Sequence, residues 1–445
     1  MPLKPVLNRM RGGQRPLALA ALLALSGCDG LAFPPVAMFG LGSGMKPSDA
    51  AAVSALAPQG VVQSSLIDDL RARQTVLPAD GPYRQVAEAV IAASAGVAVA
   101  ELRVARLKAE AKSKNWLPSI GPQVDLTSLG SVIASLVVEQ ALFDNGRRKA
   151  ERAFAAADVE VAAVTLTADM NERVYEGLAH YLDAERAREQ AVVAARGVAR
   201  LAEFDRIMSV RVEGGLSDRS ERQIIQQRYT EMQATYASDQ AAREAALAEL
   251  NAMSARPLDG LTGMSQIAID SAIAEPLSVV MARGVGTRSV AEAKMAKASL
   301  LPGLSATAVL NGDGVDGGLR AGGGLLNLGL GANIEALDAA ADLADRKTAE
   351  AAEDANRTQV SLQREIAALQ LRERDGAEVL RQTGGNLDMF TEQYKVGRRS
   401  LTELVSQYDS FARMERDQTA LKYEIAVRQL RIAKERGQLV DGTQL

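Results

Sequence analysis

From about residue 82 the apolar side chains follow two spacings. Over most of the chain they recur every three or four residues, as on one face of a helix; in two places the interval drops to two. Leu166, Met170, Val174, Leu178 and Leu182 stand four apart and line one face of a first helical run from Gly146 to Glu213. Leu380, Leu387, Phe390 and Tyr394 follow a seven, three, four rhythm in a second run, about 333–396, as a coiled-coil seam would. At ~1.5 Å per residue each run is a rod of roughly 100 Å. Shorter antiparallel partner helices are expected at about 218–253 and 400–436.

The period-two segments precede each rod. In 119–128, Ile120, Val124 and Leu126 alternate with Ser119, Gln123, Asp125 and Thr127; in 131–139, Val132, Ala134, Leu136 and Val138 alternate with Ser131, Ser135 and Glu139. Further along, Leu304, Ala306, Ala308 and Leu310 alternate with Ser305, Thr307 and Asn311, and Val315, Leu319, Ala321 and Leu325 with Asp316 and Arg320. Each segment reads as a β-hairpin, at 119–142 and 303–331, with strands of the length a membrane-spanning strand needs. Neither hairpin contains an aromatic residue; Trp116 and Phe143 flank the first.

The order of elements occurs twice. Pro118 and Pro302 are 184 residues apart, Gly146 and Gly331 185, and the turn glycines Gly215 and Gly397 182. A near-constant offset at three landmarks indicates internal duplication. The expected layout is a lead-in over 28–81, a first repeat over 82–254, a connector over 255–272, a second repeat over 273–437 and a tail over 438–445. A proline- and glycine-rich composition makes the lead-in an extended segment.

Composition narrows the chemistry. The 445 residues include 4% aromatics, 24% charged residues, one Cys and one His. An intrachain disulfide is excluded, and neither a metal site nor a cofactor is expected. Lys4, Arg9, Arg11 and Arg15 precede the apolar stretch Pro16–Leu25, which runs into Leu25-Ser26-Gly27-Cys28. Residues 1–27 therefore resemble a bacterial lipoprotein signal peptide, with Cys28 as the acylated first residue of the mature chain. Asp29 behind it is a residue type that resembles an inner-membrane retention signal in some enteric bacteria. Removing the signal takes four basic residues and no acid, which makes a chain of net charge −4 more acidic and disfavours nucleic acid as a partner.

Four strands cannot close a barrel, and an open edge in lipid leaves backbone groups unsatisfied. Copies of the chain are therefore expected to share one barrel, eight strands from a dimer or twelve from a trimer. Asp125, Glu139, Asp316 and Arg320 would face a water-filled bore. Such a conduit needs no catalytic residue, and the sequence carries no phosphate loop or triad. The predicted fold class is mainly α with membrane β.

With these features the chain resembles the TolC-type outer-membrane efflux proteins. The resemblance covers roughly 82–437 and is strongest in "LFDNGRRKAERAFAAADVEVA" (142–162) and "NLDMFTEQYKVGRRSLTELVSQYDS" (386–410). It implies a homotrimer with a twelve-stranded barrel in the outer membrane and a helical tunnel through the periplasm. It also implies work with a periplasmic adaptor and an inner-membrane transporter, in efflux or type I secretion. By motif position, Tyr394 and Arg399 match the family's entrance tether and Ser220 and Glu221 its partners. Glu403 matches an entrance acid, and Ser406 stands where a second acid is usual. Gly215 and Gly397 would turn the chain at the periplasmic tip. Two other readings fit parts of the pattern: a periplasmic adaptor, and a structural coiled-coil lipoprotein without channel activity.

Overall fold

The computed structural model describes residues 64–126, 132–267, 274–311, 314–322 and 330–444. In chain order these form α1 (Ser65–Ala72), α2 (Pro82–Ala92), α3 (Val97–Ser113), β1 (Ser119–Leu126), β2 (Val132–Phe143), α4 (Arg147–Glu213), α5 (Arg219–Ala252), α6 (Leu277–Leu300), β3 (Gly303–Asn311), β4 (Gly314–Gly322), α7 (Leu330–Lys395) and α8 (Leu401–Glu435). The signal segment and Cys28 lie outside the described residues, as does the lead-in up to residue 63. Among the described residues no single helix is long and apolar enough to cross a membrane.

The two rods are α4, with 67 residues, and α7, with 66, each ~100 Å long. The face spaced by fours in α4 is core: Leu166 is 3% exposed, and Val174, Leu178 and Leu182 are fully buried. α4 packs against α2, α3, α5, α6 and α8, while α7 lies between α6 and α8. Alanines at 150, 155, 157, 163, 184, 187, 191 and 194 are buried along α4, which lets neighbouring helix backbones approach closely.

The start of α4 is built by the "DNG" triplet. Gly146 has φ +82° and Asn145 φ +51°, a pair of left-handed residues that swings the chain from strand to helix. One carboxylate oxygen of Asp144 accepts from the Gly146 N–H at 3.0 Å and the other from the Arg148 N–H at 2.9 Å. The Asn145 amide donates to the Pro302 carbonyl at 2.8 Å and so ties the two repeats together. The second rod begins differently. It starts at Leu330, so Gly331 sits inside its first turn, not ahead of it as the duplication had suggested.

The four strands make one antiparallel sheet in the order β1-β2-β3-β4. The hairpins of the two repeats are joined edge to edge by β2 and β3, from Leu136 opposite Leu310 to Phe143 opposite Leu304, with a register shift between Ala141 and Phe143.

One expectation is corrected near the start of the described residues. The lead-in is not extended throughout, because α1 occupies Ser65–Ala72, with the Ser64 hydroxyl capping its Ile67 N–H. The tail is docked. The Val76 N–H donates to the Gln438 carbonyl at 2.9 Å, and the Gly442 N–H to the Arg73 carbonyl at 2.9 Å. Asp441 accepts from the Thr75 N–H at 3.1 Å and pairs with Arg84 at 2.7 Å. The Leu439 N–H reaches the buried Asn171 side chain of α4 at 2.8 Å. Leu439 is 1% exposed and belongs to the mid-rod core with Tyr83, Tyr181 and Tyr423. Backbone polarity explains the docking: once the tail enters this core, its N–H and C=O groups need partners, and residues 73–76 supply them. Leu439→Ala is expected to cost ~2–4 kcal/mol through the cavity it leaves. Chemical unfolding of the purified protein measures this, and an unchanged midpoint would show that the tail is no part of the core.

Candidate functional site

Two places carry the chemistry that the sequence singles out: the sheet and the helix tips. In an antiparallel pair, directly opposed residues share a face. Ile120 stands opposite Val138 and Val124 opposite Ala134. Leu136 stands opposite Leu310, which in turn stands opposite Val315, while Ala306 stands opposite Leu319. These apolar residues therefore form one continuous face over four strands. Six of them are large and exposed: Ile120, Val124, Leu136, Leu310, Val315 and Leu319.

The other face holds the positions expected to line a bore. Asp125 occupies the position opposite Ile133, and Glu139 stands opposite Ser119 and Thr307. Asp316 stands opposite Val309, and Arg320 opposite Ser305. The register brings all four positions to one side of the sheet, and Glu139, Asp316 and Arg320 are exposed there. Valines at 137 and 309 share this face, which is therefore mixed and not wholly polar.

At the far end of the rods, both turns have the same hydrogen-bond pattern. Gly215 (φ +70°) and Gly397 (φ +73°) are left-handed. The Gly215 N–H donates to the Val212 carbonyl at 3.1 Å and the Leu216 N–H to Arg211 at 2.8 Å. In the second repeat the Gly397 N–H donates to Tyr394 at 2.9 Å and the Arg398 N–H to Gln393 at 2.8 Å. This paired closure satisfies the last carbonyls of each rod and reverses the chain. A side chain at either glycine would strain the backbone.

The caps that follow differ. In the first repeat Asp218 accepts from the Ser220 N–H at 2.8 Å and the Glu221 N–H at 3.0 Å, and its carboxyl group is held below its ordinary range, first by the Ser220 hydroxyl and then by the Glu221 N–H. In the second repeat Ser400 and Glu403 form a reciprocal capping box. The Arg399 guanidinium donates to Glu403 at 3.0 Å and to the Gln393 side chain at 3.1 Å, and lies 4.6 Å from the Phe390 ring centroid.

The sequence reading aimed Arg399 and Tyr394 at Ser220 and Glu221. Within one chain the structure gives Arg399 to Glu403, Gln393 and Phe390, and gives the Ser220 hydroxyl and the Glu221 backbone N–H to Asp218. Proximity explains the outcome: a guanidinium four residues before a carboxylate on one helix finds it at little conformational cost. Tyr394 and Phe390 pack onto an apolar cluster formed by Leu201, Phe204, Met208, Ile225 and Leu404. Glu403 is held below the ordinary carboxylate range, first by the Ser400 N–H and then by Arg399.

Sequence reasoning missed a second ionic group behind this cluster. Asp239 on α5 is 3% exposed and takes a two-pronged bond from Arg416 on α8, with Nε at 3.0 Å. Asp409 is 8% exposed, pairs with Arg413 at 2.8 Å and lies 3.7 Å from Arg228. Asp409, Arg413 and Arg416 border a cavity of about 100 Å³. Asp409 and Arg413 read as an exposed pair of neighbouring turns. The Asp239–Arg416 contact spans 177 residues and leaves no local signal. The group holds the return helices of the two repeats against each other just behind the tips.

With this geometry in view, comparison with known proteins is informative for fold. The sequence matches no family model and no curated protein. The structure is similar to the CmeC outer membrane channel of Campylobacter jejuni, with TM-score 0.68, 13% identity and coverage of 82% of this chain and 88% of that one. It is similar to the outer membrane protein VceC of Vibrio cholerae, with TM-score 0.70, 14% identity and coverage of 80% and 96%. It is also similar to the open state of the MtrE outer membrane channel of Neisseria gonorrhoeae, with TM-score 0.66, 17% identity and coverage of 85% and 90%. The chain has the fold of these outer-membrane channels. It is the fold that the TolC-type resemblance implied.

Ser400→Ala is expected to remove the cap of α8 at a cost of ~1 kcal/mol, read by chemical unfolding. The depressed Glu403 carboxyl group stabilises the folded tip above the ordinary carboxylate pKa, and the contribution is lost as pH falls through the folded value. With ¹³C-labelled glutamate, Arg399→Gln should bring the Glu403 titration part of the way back toward the ordinary range. A titration unmoved by that change would leave the Ser400 N–H and hydroxyl as its causes.

Proposed function

We propose that three copies of this chain form one channel-tunnel of the outer membrane. Each copy contributes four strands to a shared twelve-stranded barrel and its rods to a tunnel reaching into the periplasm. It is a passive conduit and carries out no catalytic step. It serves a tripartite efflux or type I secretion system and exports small molecules or proteins. Cys28 carries the lipid anchor at the start of the mature chain.

One observation supports this reading above the others. A four-stranded sheet with β1 and β4 at its edges, apolar on one face and charged on the other, is mounted on rods ~100 Å long. In lipid, the edge N–H and C=O groups must find partners, and β1 of one copy against β4 of the next supplies them around a closed ring. A periplasmic adaptor would need one helical hairpin flanked by β-domains, which this geometry does not resemble. A structural lipoprotein would have no use for an apolar sheet face exposed on all four strands.

The tips support the partner reading. Leu216 is 73% exposed and Val396 69%, both beside the turn glycines at the ends of the rods. Apolar residues so placed suit docking by an adaptor. The capped tips also suit a gated entrance, with Arg399, Glu403, Ser220 and Glu221 of neighbouring copies brought around one opening.

The purified mature chain in planar bilayers should give discrete conductance steps, and native mass spectrometry should give a mass of three chains. A water-soluble monomer that never conducts would overturn the proposal. Arg399→Glu sets a like charge against Glu403 and Glu221 and should raise the conductance; steps identical to the parent's would remove Arg399 from the gate.

A further inference from the structure

The boundary between the two repeats is a joint with two layers. In the sheet, β2 pairs with β3. Next to the sheet, the helix that follows β2 packs against the helix that precedes β3, α4 against α6. Asp158 and Arg288 meet there at 3.1 Å, and a Cβ on Gly284 would lie 3.4 Å from the Val161 side chain. The outer edges of the sheet carry the same two kinds of helix: α3 precedes β1, and α7 follows β4. Among the described residues these two helices do not pack on each other.

Each of them carries a second apolar stripe on the side away from its own packing. On α3, Ala98, Leu102 and Ala105 are buried. Val97, Ala100, Val104, Leu107 and Ala111 are all exposed and stand at alternating spacings of three and four, as in a coiled-coil seam. On α7, Ala344 is buried against α6, where a Cβ on Gly286 would stand 3.2 Å from it. Ala332, Ala336, Ala339 and Leu343 are exposed, at spacings of four, three and four. The repeat offsets of 184 and 185 carry Arg288 back to Val104 and Asp158 forward to Leu343, one in each stripe.

Laid antiparallel, the stripes match in size. Val104 meets the hollow between Ala339 and Leu343, Leu107 meets the one between Ala336 and Ala339, and Ala100 leaves room for Leu343. Their edges match in charge. Arg103 borders the α3 stripe on one edge and Glu101 on the other; Glu335 and Asp342 border the α7 stripe on one edge and Lys347 on the other. Antiparallel packing sets Arg103 beside the two acids and Glu101 beside Lys347. Glu110, on the same edge as Arg103, is held by Lys114 at 3.1 Å. Arg103 and Glu335 are exposed and have no ion-pair partner among the described residues.

We propose that α3 of one copy packs antiparallel on the start of α7 of the next. The joint between copies then repeats the joint between repeats, with an apolar seam where the in-chain joint has an ion pair. The inference rests on the ring assembly proposed above and names the helix surfaces that close it. The contact is heterologous, so the same two surfaces are used at every boundary of the ring.

The test is thiol cross-linking of the mature chain, purified in detergent, with a short bis-maleimide. A chain carrying both Val104→Cys and Leu343→Cys should give a denaturing-gel ladder of one, two and three chains that stops at three. Leu107→Cys with Ala336→Cys is a second, independent pair. Each single variant and the unsubstituted chain control for links through Cys28, the only native cysteine. Val104→Cys with Met389→Cys controls for chance encounters, since Met389 is exposed on α7 but ~70 Å further along it. Native mass spectrometry establishes the number of chains before cross-linking. A three-chain mass with no ladder from either pair, or with ladders no stronger than the controls', would overturn the seam and leave the channel reading standing. A one-chain mass for the unsubstituted protein would overturn both.

Discussion

A rod of some 100 Å stays a rod only if its sides are covered, because an isolated helix gains little from its own hydrogen bonds in water. The two rods of this chain meet that constraint unequally. α4 is packed on several sides, from Ala150 near the sheet to Met208 near the tip. Among the described side chains of α7 only Ala344 and Leu362 are buried, while Leu343, Val360, Leu371, Val379 and Met389 stand exposed along it. One repeat thus makes the scaffold and the other is laid against it by one side. In the proposed assembly, neighbours around one axis would cover the remaining side of α7 and would supply hydrogen-bond partners for the edges of β1 and β4, so the same arrangement would serve helices and strands.

The duplication makes this inequality visible. The turn glycines Gly215 and Gly397 close their rods by the same pair of hydrogen bonds, so the tips are alike in backbone. Their side chains have diverged: Asp218 caps one return helix, while Ser400 with Glu403 caps the other. The starts of the rods diverge too, a left-handed Gly146 in one and an ordinary helical turn in the other. A symmetrical ancestor would have had matching junctions. The present chain keeps the symmetry where geometry demands reversal and drops it where packing differs.

Much of this was legible in the sequence because it rests on short-range periodicity. The run of Leu166, Val174, Leu178 and Leu182 announced a buried helix face, and the alternation in 119–126 and 304–310 announced the two faces of the sheet. Glycines at 215 and 397 announced the reversals. Features set by distant contacts were not legible. Nothing local in 438–442 signals that the tail docks, because its partners are residues 73–76. Asp239 and Arg416 look like any two helix-surface charges until the return helices meet.

The clasp between residues 73–76 and 436–442 bears on the order in which the molecule can be made. The Arg73 side chain donates to the Arg436 carbonyl, 363 residues later, and Leu439 completes the core around Tyr83. Contacts so far apart in sequence form late, since closing such a loop carries a large entropic cost before any contact repays it. Residues 73–76 therefore wait, undocked, for residues 436–442 to be made. Until then the mid-rod core around Tyr83 stays unfinished, and the helices that share it stay pliable until the later segment locks against the earlier one.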